Sequence, residues 1–223
     1  MKIIAVTSYR FDSDYLEDYQ KNLAPLVDDY VIDYDKDGVF FLEEGKQRKR
    51  LIDLAASKGA DWVIVVDPDE RLEKNATKKF KKIIENWRGE KIMLQVNFRE
   101  LYTPDAYRVD GVWKNKTRII AFPVFSDNEY SQARIHTLKQ PLNSDFRKIN
   151  THINLYHLKH INPRLRKHRK EIYEKLDPDN QYQKMGYNYL DDESGIKLKS
   201  IPFYRTYQPV YREYRIDEAM FDI

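Results

Sequence analysis

Two carboxylates one residue apart, Asp67 and Asp69, stand directly after the apolar run Trp62-Val63-Ile64-Val65-Val66. Acids at positions i and i+2 beyond a buried strand can meet a hard divalent cation together with the phosphate oxygens it holds. Magnesium and manganese accept such oxygen ligands and keep places for phosphate and water. A cation held there offsets the charge that grows on a departing diphosphate. The bland alternative is a loop whose acids cap the next helix, and a bare D-x-D is common. Its place at the end of a strand is what gives the pair weight.

The elements that must position these acids are legible along the first ninety residues. Lys2 to Val6 reads as a buried strand ending in the polar tip Thr7-Ser8. Ser13 is placed to cap a helix carrying Leu16, Tyr19 and Leu23, which Pro25 closes. Tyr30-Val31-Ile32 is a second strand ending in Asp33, and Asp35 to Gly38 is a loop by composition. Lys46 to Lys58 reads as a helix with Leu51, Ile52 and Ala55 on one face and Gly59 as its C-terminal cap. A third helix starts at Asn75, with Phe80, Ile83, Ile84 and Trp87 at helical spacing. The order β-α-β-α-β-α predicts a mostly parallel sheet with helices on both faces. Ligands on such sheets bind beyond the carboxyl ends of strands. Thr7-Ser8, Asp33 and Asp67 to Asp69 all fall at those ends, so three strands deliver polar groups to one edge.

The second half is less regular. Lys91 to Phe98, Arg118 to Phe125 and Ile153 to His157 read as strands, and Arg99 to Asn115 as a loop rich in aromatic and charged residues. Asn162-Pro163 starts a basic amphipathic helix that Asp177-Pro178 ends, with Leu165, Ile172 and Leu176 on one face. The tyrosine-rich tail is predicted to pack across the domain.

Composition bounds the partners. The chain has 223 residues, which suits one domain or one domain plus an extension, and 41% hydrophobic residues supply a core. A net charge of +3 from 39 basic and 36 acidic residues is too even to argue for nucleic acid. Basic runs at Lys46 to Arg50, Lys78 to Lys82 and Arg164 to Lys170 read first as solvated helix faces. The last could also make peripheral contact with an anionic membrane or meet a polyphosphate acceptor. Without cysteine there is neither a disulfide framework nor a thiolate metal site. No apolar stretch approaches the roughly 20 residues of a membrane span. The N-terminus reads as a strand rather than a signal peptide, so a cytoplasmic protein is expected.

Val63 to Glu70 resembles the D-x-D segment of family-two-like glycosyltransferases with the GT-A fold. Further segments match in order. Ile3 to Tyr9 and Val31-Ile32-Asp33 resemble the first two strands, and Lys46-Gln47-Arg48 the basic start of the helix before the D-x-D strand. Tyr107 to Trp113 and Lys116 to Ile119 resemble the acceptor-side segment, and Ile135-His136-Thr137 and Leu155 to Leu158 two later histidine motifs. The likeness covers roughly residues 1 to 160 and, more weakly, the following helix and Gly186 to Leu190.

This resemblance implies an α/β, Rossmann-like fold: a mostly parallel central sheet flanked by helices, with a helical C-terminal extension. Residues 1–160 would form the transferase domain, 1–98 its nucleotide-binding half and 99–160 its acceptor half, with 161–223 packed on it. It implies a metal-dependent, inverting transfer of a hexose from a UDP-type nucleotide sugar to the hydroxyl of a glycan, lipid-linked or protein acceptor. Thr7, Ser8, Tyr9, Asp33, Arg48 and Asp67 would bind nucleotide. Asp67, Asp69 and His157 would hold Mn2+ or Mg2+, a neutral imidazole suiting a borderline cation such as manganese. Arg108, Asp110 and Trp113 would meet the acceptor.

One departure bears on catalysis. Related enzymes often carry an acidic residue after the histidine of the His136 motif, and it can serve as base. Here the position is Thr137, which cannot accept a proton at neutral pH. The remaining candidates for the base are His136, whose intrinsic pKa suits the task, and Asp110, which could equally be a turn residue before Gly111. Trp113 could stack on a sugar or simply fill core. The departure also keeps open an inactive nucleotide-sugar-binding protein. A haloacid dehalogenase-like phosphatase would use Asp67 as nucleophile and Asp191-Asp192 as its later acidic pair. In that fold the D-x-D follows the first strand, not the third, and no apolar strand precedes Asp191.

Overall fold

In the computed structural model, residues 1–38, 42–87 and 89–222 are described. The first half follows the predicted alternation: β1 (Ile3–Tyr9), α1 (Leu16–Leu23), β2 (Asp29–Tyr34), α2 (Glu44–Ser57), β3 (Trp62–Val65) and, after a short β4 (Glu70–Leu72), α3 (Ala76–Asn86). The second half adds β5 (Ile92–Thr103), β6 (Ala106–Arg108), β7 (Thr117–Pro123), β8 (Arg147–His157), α4 (Pro163–Leu176) and β9 (Leu198–Ser200). The sheet runs β2-β1-β3-β7-β5, where β5 pairs with both β6 and β8 and β8 with β4. β1, β2 and β3 are mutually parallel, β7 runs against β3 and β5, and β8 is parallel to β5. Strands β1, β2, β3, β5 and β8 therefore share one direction. The fold is α/β, a mostly parallel central sheet flanked by helices.

The continuous apolar runs of β1 and β3 are explained by burial on both faces. Ile3, Ala5, Trp62 and Ile64 point into one core layer with Leu23 of α1 and Phe80 and Ile84 of α3. Their neighbours Ile4, Val6, Val63 and Val65 point into the opposite layer with Leu51, Ile52 and Ala55 of α2. Strand periodicity of two thus feeds two layers at once.

Several local expectations change. Ser13 does not cap α1; it opens a 3-10 turn, Ser13–Tyr15, ahead of the helix. Asn162 does cap α4, accepting from the Arg164 amide with Pro163 in the first turn. Gly59 ends α2 with φ +79°, a conformation that glycine adopts without steric cost. The stretch read as a loop from Arg99 continues β5 to Thr103 and then turns back as β6. The C-terminal extension holds one α-helix, α4; beyond it the chain is mostly irregular, with short 3-10 turns and the edge strand β9.

The tail packs across the domain through tyrosines. Tyr207 and Tyr214 share a buried cluster with Tyr15, Leu101, Tyr107, Tyr156 and Leu158. The basic run of α4 is largely consumed within the fold. Arg164 pairs with Glu218, Arg166 with Glu193 and Lys170 with Asp191, while His168 is buried. Those contacts leave it a poor match for an anionic membrane face. No helix among the described residues is long and apolar enough to cross a membrane.

Candidate functional site

The carboxyl ends of β1, β2 and β3 open onto one cleft. Tyr9 lies opposite Tyr34 at the ends of β1 and β2, and Val6 opposite Val65 of β3. The cleft is lined by Ser8 and Tyr9 from β1, Asp35 just beyond β2, Asp67 and Asp69 after β3, and His157 at the end of β8. A second, roomier cavity of about 450 Å³ adjoins it and includes Arg48, His136, Thr137, Lys139 and Arg118. Asp67, His157, Arg169 and Tyr173 line both.

The sheet register builds the acidic centre. His157 of β8 stands opposite Glu70 of β4 on one side and Glu100 of β5 on the other. Its Nδ1 lies 2.6 Å from Glu100 Oε2 and its Nε2 3.1 Å from Asp69 Oδ2. All three residues are buried. Burial opposes charge on His157, but the Glu100 and Asp69 carboxylates overcome it and push the imidazole up to about 9. The carboxyl of Asp69 is held well below its usual range against burial, by His157 and then Lys159 and Arg169.

Asp67 is set apart from this pair. Its Oδ2 lies 2.8 Å from Lys139 Nζ and its Oδ1 3.7 Å from Arg48. These cations keep its carboxyl below the ordinary range against both burial and the neighbouring Asp69. Glu70, fully buried, shares Lys139 at 3.3 Å and takes Arg118 at 2.6 Å. Beneath the turn, the fully buried Arg71 donates to the carbonyls of Pro68 (2.5 Å), Glu70 (2.9 Å) and Tyr15 (3.1 Å). That guanidinium fixes the loop on which both aspartates ride.

Asp69 and His157 would hold a divalent cation only once the imidazole gives up the proton it shares with Asp69. Ligand atoms in neighbouring octahedral positions at about 2.1 Å from a metal stand roughly 3.0 Å apart; the 3.1 Å between these two atoms is the length of their hydrogen bond, which a cation would replace. A ligating histidine ordinarily donates its other ring N–H to a carboxylate, the part Glu100 plays. Asp67 is engaged by Lys139 and would join only by loosening that pair. A further buried group that could hold a metal, Glu100, His157 and His160, shares the same histidine. There His160 Nδ1 lies 3.8 Å from Glu100, while its Nε2 takes a hydrogen bond from Arg169 at 3.0 Å.

The other predicted residues divide. Ser8 and Tyr9 line the first cleft, and the hydroxyls of Thr7 and Ser8 are buried with no hydrogen-bond partner among the described residues. Asp33 does not line it, because Arg50 holds it at 2.7 Å; Asp35, two residues on, does. Arg48 and His136 line the second cavity. Arg108, Asp110 and Trp113 line neither. Arg108 and Asp110 are locked together, Nη2 to Oδ2 at 2.5 Å, and Trp113 is buried against Tyr187 and Leu190. Asp110 is also a poor base: the Arg108 hydrogen bond holds its carboxyl below the ordinary range. Asp191 and Asp192 line neither cavity, Asp191 being paired with Lys170. The phosphatase alternative thus lacks its second acidic pair at the cleft.

Sequence reasoning missed Glu100, Lys139, Lys159 and Arg169. Lys159, two residues after His157, carried the nearest signal. It pairs with Asp12 at 2.9 Å and lies 3.8 Å from Asp69. The others arrive from distant segments with no spacing rule that links them.

No family model matches the chain, and no curated protein matches it in sequence. Among solved structures, the crystal structure of S. aureus TarS is similar with a TM-score of 0.43 and 12% identity, over 86% of this chain and 42% of that one. The mannose-1-phosphate geranyltransferase structure from Thermus thermophilus is similar with a TM-score of 0.34 and 13% identity, over 80% of this chain and 64% of that one. The chain thus spans less than half the length of TarS. At such scores neither likeness assigns an activity.

Proposed function

We propose that the chain is a metal-dependent glycosyltransferase that moves a hexose from a UDP-type nucleotide sugar to an acceptor hydroxyl, with inversion at the sugar carbon. The observation that carries this reading is the convergence of three parallel strand ends on one cleft, with Asp69 and His157 side by side inside it. The nucleoside would enter that cleft. There Ser8 Oγ has no hydrogen-bond partner among the described residues, and Tyr9, packed on Tyr34 at 5.3 Å, offers an aromatic wall. Asp69 and His157 would hold Mn2+ or Mg2+, which would supply Lewis-acid stabilisation of the leaving diphosphate.

The chain's own residues would do the rest. Arg169 and Lys159 place fixed positive charge beside Asp69, where the diphosphate would lie. Lys139 and Arg48 hold Asp67 ionised and orient it. The acceptor would occupy the second cavity and approach from the side opposite the diphosphate, the geometry that inversion needs. His136, on that cavity's wall, is the side chain best placed to take the acceptor's proton.

Asp69→Ala tests the reading. Wild-type protein should be stabilised thermally by UDP with manganese, and the variant should lose that shift while keeping its own fold by circular dichroism. An unchanged shift in the variant would sink the assignment of Asp69.

A further inference from the structure

His136 has an unusual setting that the proposed transfer does not by itself require. Its backbone takes φ +54°, a left-handed conformation uncommon for a residue with a side chain. Such strain persists where surrounding contacts over-determine it, and it concentrates at functional sites. The ring packs on two tyrosines, Tyr173 at 4.7 Å and Tyr187 at 5.6 Å between centroids. His136 Nε2 lies 2.8 Å from the Tyr187 hydroxyl, which in turn donates to Asp177 Oδ2 at 2.8 Å.

The direction of each bond follows from counting protons. Asp177, at the end of α4, accepts from the backbone N–H groups of Gln181, Tyr182 and Gln183 as well as from Tyr187. Burial opposes its ionisation, yet these donors hold its carboxyl below the ordinary range. An ionised carboxylate has no proton to give, so the Tyr187 hydroxyl must donate to it. A hydroxyl has one proton, so towards His136 the same oxygen can only accept. His136 Nε2 must therefore carry a hydrogen, and in the neutral ring Nδ1 is the basic nitrogen. Among the described residues no hydrogen bond is made to Nδ1.

We propose that Asp177 and Tyr187 are positioning residues that hold His136 with hydrogen on Nε2, so that Nδ1 takes the proton of the acceptor hydroxyl. The proposal rests on the transferase reading above and goes beyond it by assigning the nitrogen and its support. In the step, the acceptor oxygen bonds to the anomeric carbon while its proton passes to Nδ1. The bond from that carbon to the diphosphate oxygen breaks, and its electron pair leaves on the diphosphate. The resulting imidazolium is stabilised through Nε2–H, Tyr187 and the Asp177 carboxylate until Nδ1 returns the proton to solvent. The arrangement supplies a base beside Thr137, whose hydroxyl cannot accept a proton at neutral pH.

Charged groups that face His136 come from two helices, Glu44 of α2 and Arg169 of α4, with Asp177 at the end of α4. Burial is the largest influence and lowers the imidazole below its ordinary value, with Arg169 adding to it and Glu44 and Asp177 opposing. The free ring is thereby neutral at physiological pH and ready to accept.

The first measurement needs no substrate. Proton–nitrogen correlation spectra of uniformly 15N-labelled protein, with His136→Gln assigning the signal, should show the Nε2–H tautomer and a slowly exchanging Nε2 proton. Tyr187→Phe, which keeps the ring, should lose that proton signal; a neutral ring protonated on Nδ1 in the wild type overturns the proposal. The second measurement follows UDP release from a panel of UDP-hexoses with manganese. His136→Gln should lower turnover by about 10²- to 10⁴-fold. Tyr187→Phe and Asp177→Asn should lower kcat by roughly 10-fold, as for outer partners of a functional histidine, with KM for the donor unchanged. An unaltered kcat in Tyr187→Phe, with its Nε2 proton signal lost, would refute the positioning role. If wild-type protein neither binds UDP nor turns over any UDP-hexose, the transferase reading fails and takes the base with it. The Nε2 signal would still report separately whether the three-residue chain exists.

Discussion

At the scale of single residues, carboxylates that look alike in the sequence have different work because their partners differ. Asp69 faces His157 in the cleft, whereas Asp110 is bound to Arg108 and to the Lys197 amide. Asp110→Asn should therefore leave UDP binding intact and cost stability, about 2 kcal/mol for a charged hydrogen-bonded pair. The sign of its pH dependence follows from the depressed carboxyl. A group ionising more readily in the folded than in the unfolded chain adds stability above the unfolded value near 3.9 and loses it as pH falls through the lower folded value. Urea unfolding of the wild type across pH 2 to 5 should then show a steeper acid loss than the variant; parallel curves would refute this account of Asp110.

At the scale of elements, the parts that sequence periodicity could reach are those whose burial is set locally. β1 and β3 are apolar at every position because both faces are covered, and α3 shows its buried stripe of Phe80 and Ile84. The D-x-D was legible for the same reason, since a buried strand must end before two acids. Glu100 was not, because a buried glutamate inside a strand makes sense only with His157 opposite it across the β5–β8 pairing. The register breaks in β5 near Leu94 and Gln95 blur its alternation further. Arg71 is the clearest case of an element fixed from afar. It joins the D-x-D turn to Tyr15 beside α1 and to Tyr214 of the tail through its buried guanidinium. Arg71→Met removes those donors and leaves carbonyls unpaired, which should cost about 3 kcal/mol or more. It should also weaken UDP binding, because the turn that carries Asp67 and Asp69 loses its brace. Calorimetry with an unshifted transition would show that the guanidinium does not support the loop.

At the scale of the molecule, the extension completes the cleft rather than merely covering the sheet. Leu165, Arg169, Ile172 and Tyr173 of α4, with Met220 near the end of the described chain, form one wall of the cleft whose floor is the strand ends. The tail is tied back by Arg212, which reaches Asp14 at 3.0 Å and Asp18 at 2.9 Å. Tyr214 stacks on Tyr15 at 3.9 Å and donates to Asp18 at 3.0 Å. Tyr15 in turn sits in the segment between β1 and α1, next to the loop that lines the site. Truncating Tyr214 to alanine removes a buried ring and should cost about 3 kcal/mol or more, which for a chain of this size lowers Tm by roughly 6–12 °C. Tyr214→Phe keeps the stack and loses only the hydroxyl contacts, so it should cost about 1 kcal/mol. If the tail is an integral wall, Tyr214→Ala should also weaken UDP binding at temperatures where the protein remains folded, while Tyr214→Phe should bind as the wild type does. Equal UDP affinity in all three proteins would mean that the tail stabilises the domain without shaping its cleft.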